Sequence, residues 1–415
     1  MFLDLLFKVN ILYCFEERGR KTPLLLHYLL MLLFPYRLII LFSFIRLPYK
    51  SNFRLHFCMS NTSFTKNIII AIFILELFTG ASGCKKQLSP DPVSAVSMED
   101  FETRLDNLRK QSNIPGMVAG IVRDGQVIWT KSYGYENVAQ QKLVTNATIF
   151  HLASLTKTFA STVIIQLVKE NKIDLNAPVA NYGVNLAETG TVRVIHLLTH
   201  TSEGMPGSQY KYNGDRYSLL SNVIQSATAK MFHQLASERI MQILGLQNTA
   251  PSNMSLAASD GFDTIRLKQN IAQGYSSNGI QTVAYPQGFS TAAGLISNID
   301  DMLKYAAAFD ENQLLTDDLK VKVFSPMISN DGKTLPYGLG WFIQQREGVE
   351  FTWHYGYWVG MSSLIIRVPG KKMSFVLMAN SDMLSAPYPL GNGDIWVSPY
   401  AKEFLKSFVL AGAKL

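Results

Sequence analysis

The order of segment types limits what the body of this chain can fold into: strand-type runs stand near both of its ends and helical runs fill its middle. Met117–Val122 is a short apolar run, Asp124-Gly125 is a hairpin-type turn, and Val127–Ser132 returns. Helical spacing marks Met98–Gln111, with Phe101, Leu105 and Leu108 on one face, then Thr156–Asn171 and Tyr217–Ala229. Phe351–His354, Ser363–Val368 and Ser374–Ala379 read as consecutive strands, the last two joined at Pro369-Gly370, and Ala401–Leu410 as a closing helix. Strands, a helical middle, then strands and a helix predict an α+β fold. Its antiparallel sheet draws on both ends of the chain, is flanked by helices, and carries a mainly helical subdomain.

All three cysteines, Cys14, Cys58 and Cys84, precede this body, so it holds no disulfide, thiolate nucleophile or cysteine-based zinc site. The formal charge is +7, but residues 1–83 carry 9 Lys+Arg against 4 Asp+Glu, leaving 29 against 27 for the rest. The basic character belongs to the leader, and a nucleic-acid partner is not expected.

The leader reads as an address. Lys66, the apolar run Ile68–Phe78 and the small residues Gly80–Gly83 make residues 59–83 a secretory signal. Ala81-Ser82-Gly83-Cys84 resembles a bacterial lipobox, with Ala81 where leucine is usual. This implies lipid attachment at Cys84, a membrane anchor and a bacterial cell-envelope location, facing the periplasm or the cell surface. A plain cleaved signal with an incidental cysteine is the rival. Residues 84–97, with two prolines, form a tether before a domain at 98–415. Residues 1–58 are a doubtful leader: Leu24–Ile45 has the apolarity of a membrane helix interrupted by His27, Pro35 and Arg37. Met59 is expected to be the true start.

Ser154-Leu155-Thr156-Lys157 places a hydroxyl and an amine three residues apart, on one face of a helix. A serine hydroxyl needs a base, and a lysine amine becomes one when burial lowers its pKa. At a helix start, free backbone N–H groups also stand ready for an oxyanion. Alone, the pattern more often describes a capped helix with an exposed lysine. His196 and His200 stand at i, i+4, but Leu197 occupies the place of the zincin glutamate, so no metal is expected. Gly332-Lys333-Thr334 lacks the upstream glycine of a phosphate loop, and no Gly-x-Ser-x-Gly elbow occurs.

Phe150–Lys157, with Tyr133-Gly134-Tyr135 before it and Ile173–Val179 and Ile195–Ser202 after it, resembles the β-lactamase-related serine hydrolases. That family lies close to class C β-lactamases, penicillin-binding proteins and D-Ala-D-Ala carboxypeptidases. Ser290–Asp301, Tyr337–Trp341 and Met378–Ser381 extend the resemblance from about Met98 to the C-terminus. It implies the β-lactamase/transpeptidase-like fold and Ser154 as nucleophile with Lys157 as its partner. Tyr212 of Tyr212-Asn213-Gly214 would stand near cationic Lys157 as a phenolate base, with Tyr210 as rival. His354 of His354-Tyr355-Gly356 would donate to the substrate or, when charged, lend a positive field. Gly356 would let substrate approach the strand, and the Tyr357 and Ser154 amides would hold an oxyanion. Gly214 stands where the family usually has asparagine, which puts β-lactam recognition in doubt. Trp341, Trp353, Tyr355, Tyr357 and Trp358 divide between cleft wall and core. The resulting expectation is a monomeric, cofactor-free hydrolase forming an acyl-enzyme on an ester, amide or D-amino-acid peptide. A β-lactamase or carboxypeptidase proper, and an idle binder of envelope peptides, are the alternatives.

Overall fold

The computed structural model describes residues 11–17, 20–34, 37–45, 97–276 and 281–410. The signal-type segment 59–83, Cys84 and the tether up to residue 96 lie outside the described residues. The chain divides into two compact units, Met1–Ser89 and Pro90–Leu415. In the first, strands Ile11–Glu17, Arg20–Phe34 and Arg37–Ile45 pair antiparallel in that order. The interrupted membrane helix left open for Leu24–Ile45 therefore falls on strands. Among the described residues no helix is long and apolar enough to cross a membrane.

The second unit is built on a seven-stranded antiparallel sheet. Its strands are β1 (Gly116–Arg123), β2 (Gln126–Asn137), β3 (Lys142–Leu143), β4 (Phe342–Arg346), β5 (Val349–Trp358), β6 (Met361–Val368) and β7 (Met373–Ala379), in the spatial order β4-β5-β6-β7-β1-β2-β3. The two ends of the chain meet where β7 pairs with β1, Ala379 opposite Met117 and Met373 opposite Arg123. Asn380, just past β7, fastens that seam: its side chain accepts from the Gly116 N–H at 2.7 Å and donates to the Tyr135 carbonyl at 3.1 Å.

Every residue of β6 and β7 is buried. The sheet is covered on both faces, which is why these strands read as continuous apolar runs rather than alternating ones. Period two still sorts them. Leu364, Ile366 and Val368, with Phe375 and Leu377, face a core shared with Phe101, Leu105, Phe404 and Phe408; Ile365, Val376 and Met378 face the opposite core. Helix α1 (Met98–Gln111) covers the first face. The Ser97 hydroxyl caps it by accepting from the Asp100 N–H at 3.0 Å; acids stand in its first turn and bases in its last, matching the helix dipole. Phe101 meets Phe408 edge-on at 4.7 Å, beside the closing helix Pro399–Phe404.

Helix α2 (Thr156–Lys169) and helix α3 (Ile299–Asp310) belong to the opposite side. Gly120 of β1 makes room for α3, since a Cβ there would stand 2.7 Å from Leu303. The sequence reading placed no helix at α3 and no strands at β3 or β4; β4 is short and at the sheet edge. The helix expected over Tyr217–Ala229 is broken into Gly214–Ser218 and Leu220–Thr228.

A buried ion pair joins the sheet to α3. Arg367 is 2% exposed, donates to Asp310 at 2.8 Å, and lies 4.7 Å from the ring centres of Phe309 and Phe324. Truncating Asp310 leaves that guanidinium without its counter-charge. Asp310→Ala is expected to lower unfolding stability by about 3–5 kcal/mol, read as a shifted denaturant midpoint. A change within about 0.5 kcal/mol, the range of ordinary surface substitutions, would show that the pair does not hold α3 in place.

Candidate functional site

Ser154 lies in a 3-10 turn, Ala153–Leu155, that runs straight into α2. Two features aim this turn. Ala153 adopts a left-handed backbone (φ 48°), unusual for alanine, and its N–H is held by His151 Nδ1 at 2.9 Å. The Leu152 carbonyl is gripped by β6, where the Ser363 hydroxyl donates to it at 2.7 Å. Gly356 of β5 completes the grip, because a Cβ at that position would collide with the same carbonyl oxygen. Glycine is therefore required at 356 so that strand and nucleophile turn can touch. The sequence reading gave this glycine to substrate approach; the Leu152 contact is a second demand for glycine at the same position.

Ser154 is half-buried, while Lys157 behind it is only 1% exposed. Lys157 Nζ donates to Ser154 Oγ at 2.9 Å and to the Ala292 carbonyl at 2.9 Å. Burial pushes its pKa down to about 7, with the charge of Asp215 opposing the shift. A Cβ on Gly214 would stand 4.0 Å from Nζ, so the space an asparagine side chain would fill is open and the Ala292 carbonyl holds the amine instead.

Tyr212 and Tyr210 take different parts. The Tyr210 hydroxyl donates to the Gly391 carbonyl at 2.8 Å and is spent there. The Tyr212 ring centre lies 5.2 Å from Lys157 Nζ, and its buried hydroxyl makes no well-formed hydrogen bond. Burial holds its pKa well above 10, and the nearby Ser154 hydroxyl only partly offsets this. Tyr212 is a neutral phenol, and the phenolate base expected from the sequence is not what this environment favours: desolvation penalises the anion while Lys157 sheds its own proton.

His354 departs further from its expected role. It is 0% exposed, and both ring nitrogens are engaged: Nδ1 donates to the Tyr355 carbonyl at 2.7 Å, and Nε2 accepts from the Tyr337 hydroxyl at 2.8 Å. Burial first, and the charge of Lys157 second, hold its pKa well below 6.5. It is a neutral brace within the wall, with no N–H or charge left for substrate. Beyond Gly356, Tyr357 and Trp358 are exposed at 44% and 48%, whereas Trp341 and Trp353 are core.

His200 is the residue whose part the sequence did not show. Its backbone is left-handed (φ 54°) and lies past the end of the helix Val194–Leu198, so it does not share a helical face with His196. Its carbonyl accepts from the Lys211 N–H at 2.8 Å, and its Nδ1 accepts from the Asn213 N–H at 3.1 Å. It thus grips both neighbours of Tyr212, and its ring lies against the Tyr212 ring with centres 4.4 Å apart. Spacing alone offered only a histidine pair; the left-handed turn and the long-range amide bond carry no local signal. Among the described residues no cluster able to hold a metal ion occurs. A surface cleft of about 510 Å³ bounded by Pro178, Val179, Leu186 and Val192 includes none of the residues above.

The family model described as Beta-lactamase matches residues 101–393. The chain is 24% identical over 299 residues to a D-aminopeptidase of Gluconobacter oxydans, an alignment covering 64% of this chain and 56% of that protein. It is 22% identical over 330 residues to penicillin-binding protein 4* of Bacillus subtilis, covering 68% and 71%. The octameric penicillin-binding protein homologue from Pyrococcus abyssi shares the fold with a TM-score of 0.62 at 23% identity, covering 74% of this chain and 77% of that one. The chain thus spans little more than half the length of the aminopeptidase.

Replacing His200 removes the bond that fixes Asn213. His200→Ala is expected to slow labelling of Ser154 by a fluorophosphonate about tenfold, the order that small displacements of a positioned group cost. His200→Asn, which keeps an acceptor, should recover part of the rate. Equal labelling rates in all three proteins would leave His200 a packing residue only.

Proposed function

This chain belongs to the Beta-lactamase family, and we propose that it is a serine hydrolase of the penicillin-binding-protein type that forms an acyl-enzyme on Ser154 from an ester, amide or D-amino-acid peptide at the bacterial cell envelope. The observation that carries this reading is the 2.9 Å contact between Ser154 Oγ and a buried amine whose pKa lies at about 7. An amine with a pKa near neutrality is unprotonated in a substantial fraction of molecules and then has a lone pair for the serine proton.

In this reading Ser154 Oγ forms a bond to the carbonyl carbon while its proton passes to Lys157 Nζ. The carbonyl electron pair moves onto oxygen, where the backbone N–H groups of Ser154 and Tyr357 donate to it. As the tetrahedral centre collapses, the leaving group takes a proton through the neutral Tyr212 phenol, which is replenished from Lys157. Water then attacks the acyl-enzyme by the reverse proton path. Tyr212 is suited to relay because its hydroxyl is buried and uncommitted. The D-aminopeptidase relationship supports amides and peptides of D-amino acids within the substrate range. Attachment through a lipid on Cys84 would hold the enzyme at the membrane.

Intact-mass analysis of residues 85–415 after fluorophosphonate treatment is expected to show one adduct, mapped to Ser154 and lost in Ser154→Ala. Persistent labelling of that variant would remove Ser154 from the chemistry, and no labelling of the parent would favour an idle binding protein. The labelling rate should rise as pH rises through about 7, because deprotonation of Lys157 creates the base; Lys157→Ala should abolish that rise and nearly all labelling. For the anchor, Cys84→Ser is expected to move the full chain from the membrane to the soluble fraction; unchanged fractionation would exclude lipid attachment there.

A further inference from the structure

We infer that Gly214 keeps a water site open beside Lys157 and thereby sets the rate at which the acyl-enzyme is hydrolysed; this rests on the acyl-enzyme reading of Ser154. Nothing in the local backbone asks for glycine at 214. It is the first residue of the short helix Gly214–Ser218, capped by Asn213, and its φ lies outside the left-handed region. Most side chains would serve a helix better. Tight packing does not ask for glycine either. Apart from the adjoining chain, a Cβ at 214 would meet only Lys157 Nζ, at 4.0 Å. What the glycine leaves is open space against the amine.

The amine has one position to offer that space. Besides its bond to carbon, a lysine nitrogen has three positions for hydrogen-bond partners. Ser154 Oγ and the Ala292 carbonyl take two of them, each at 2.9 Å, and among the described residues no third group bonds it. The rings of Tyr212 and Tyr217 stand 5.2 and 5.4 Å away and wall the amine without bonding it. Lys157 is 1% exposed, and polar atoms so buried are nearly always partnered. Gly214 is half-buried, so the space beside it reaches solvent. Water suits this space in size and chemistry, because it bonds the amine and exchanges with bulk. A hydrocarbon branch of a substrate would cover the amine without bonding it.

Such a water serves the second half of the reaction. Once Ser154 Oγ carries the acyl group, Lys157 has passed its proton toward the leaving group and holds a lone pair. A water bound to Nζ then lies beside the acyl carbon, since Nζ is already in contact with Oγ. Its oxygen bonds that carbon and its proton ends on Nζ. The carbon–Oγ bond breaks as Oγ takes the proton back from Nζ. A carboxylic acid leaves, and serine and amine return to their starting forms.

The test follows p-nitrophenyl acetate with the full chain. Acylation is read as the initial burst of p-nitrophenol, and deacylation as the decay of the acetyl adduct by intact mass. Gly214→Val, whose side chain fills the space, is expected to slow deacylation about tenfold more than acylation, the order that displacing a reacting group costs. Gly214→Ala should shift the ratio of the two rates in the same direction by less, and it decides the matter if the valine variant does not fold. Because Lys157 serves both steps, a general change in its basicity cancels in that ratio. An unchanged ratio would overturn the inference. Slowing of acylation alone would give the space to a substituent of the substrate and overturn it as well. A parent protein that forms no adduct with either the ester or a fluorophosphonate would instead sink the acyl-enzyme reading, and this inference with it.

Discussion

The placing of the turn that bears Ser154 depends on one close approach: the Leu152 carbonyl lies against the bare backbone of Gly356, where the Ser363 hydroxyl also donates to it. That contact ties the turn bearing Ser154 to two strands of the sheet. The turn is short and includes a left-handed alanine, so it would not keep this shape alone. The sheet supplies the rigidity, being covered on both faces and closed by the pairing of β7 with β1. A side chain at 356 would push strand and turn apart.

Burial sets the protonation states around that turn. Lys157, Tyr212, His200 and His354 share one desolvated cluster, and each is driven toward its neutral form. Lysine and histidine lose a proton there, whereas tyrosine keeps one. The outcome is an amine poised to give up its proton near neutral pH, a neutral phenol and two neutral imidazoles. In such an environment a lone pair on Lys157 is inexpensive and a phenolate on Tyr212 is not.

Much of this was legible from residues alone. The α1 boundaries follow from helical spacing, and the strands of the C-terminal half follow from apolar runs between turn signals. Ser154 and Lys157 were placed on one face by their spacing. The misses have physical causes. β3 is two residues long and β4 lies at the sheet edge, so neither carries a strong apolar pattern. His354 was assigned to substrate because its surroundings, Tyr337 and the Tyr355 carbonyl, are fixed only when β5 packs in the core. Gly356 was recognised as a place of close approach, and its contact with the Leu152 carbonyl appears only when β5 meets the turn.

The sequence by itself determined the local elements, the turn types and which residues share a helix or strand face, because those depend on side chains a few positions apart. Tertiary structure decided which of those residues are buried together, and so which protons they hold. Residue 154 is set against strand residues about 200 positions later, and Tyr212 is fixed through His200 across a turn that no periodicity predicts. Desolvation and hydrogen-bond partners depend on everything within a few ångströms, irrespective of chain distance, so the charge, tautomer and freedom of each group were settled only when the sheet and the helices closed around Lys157.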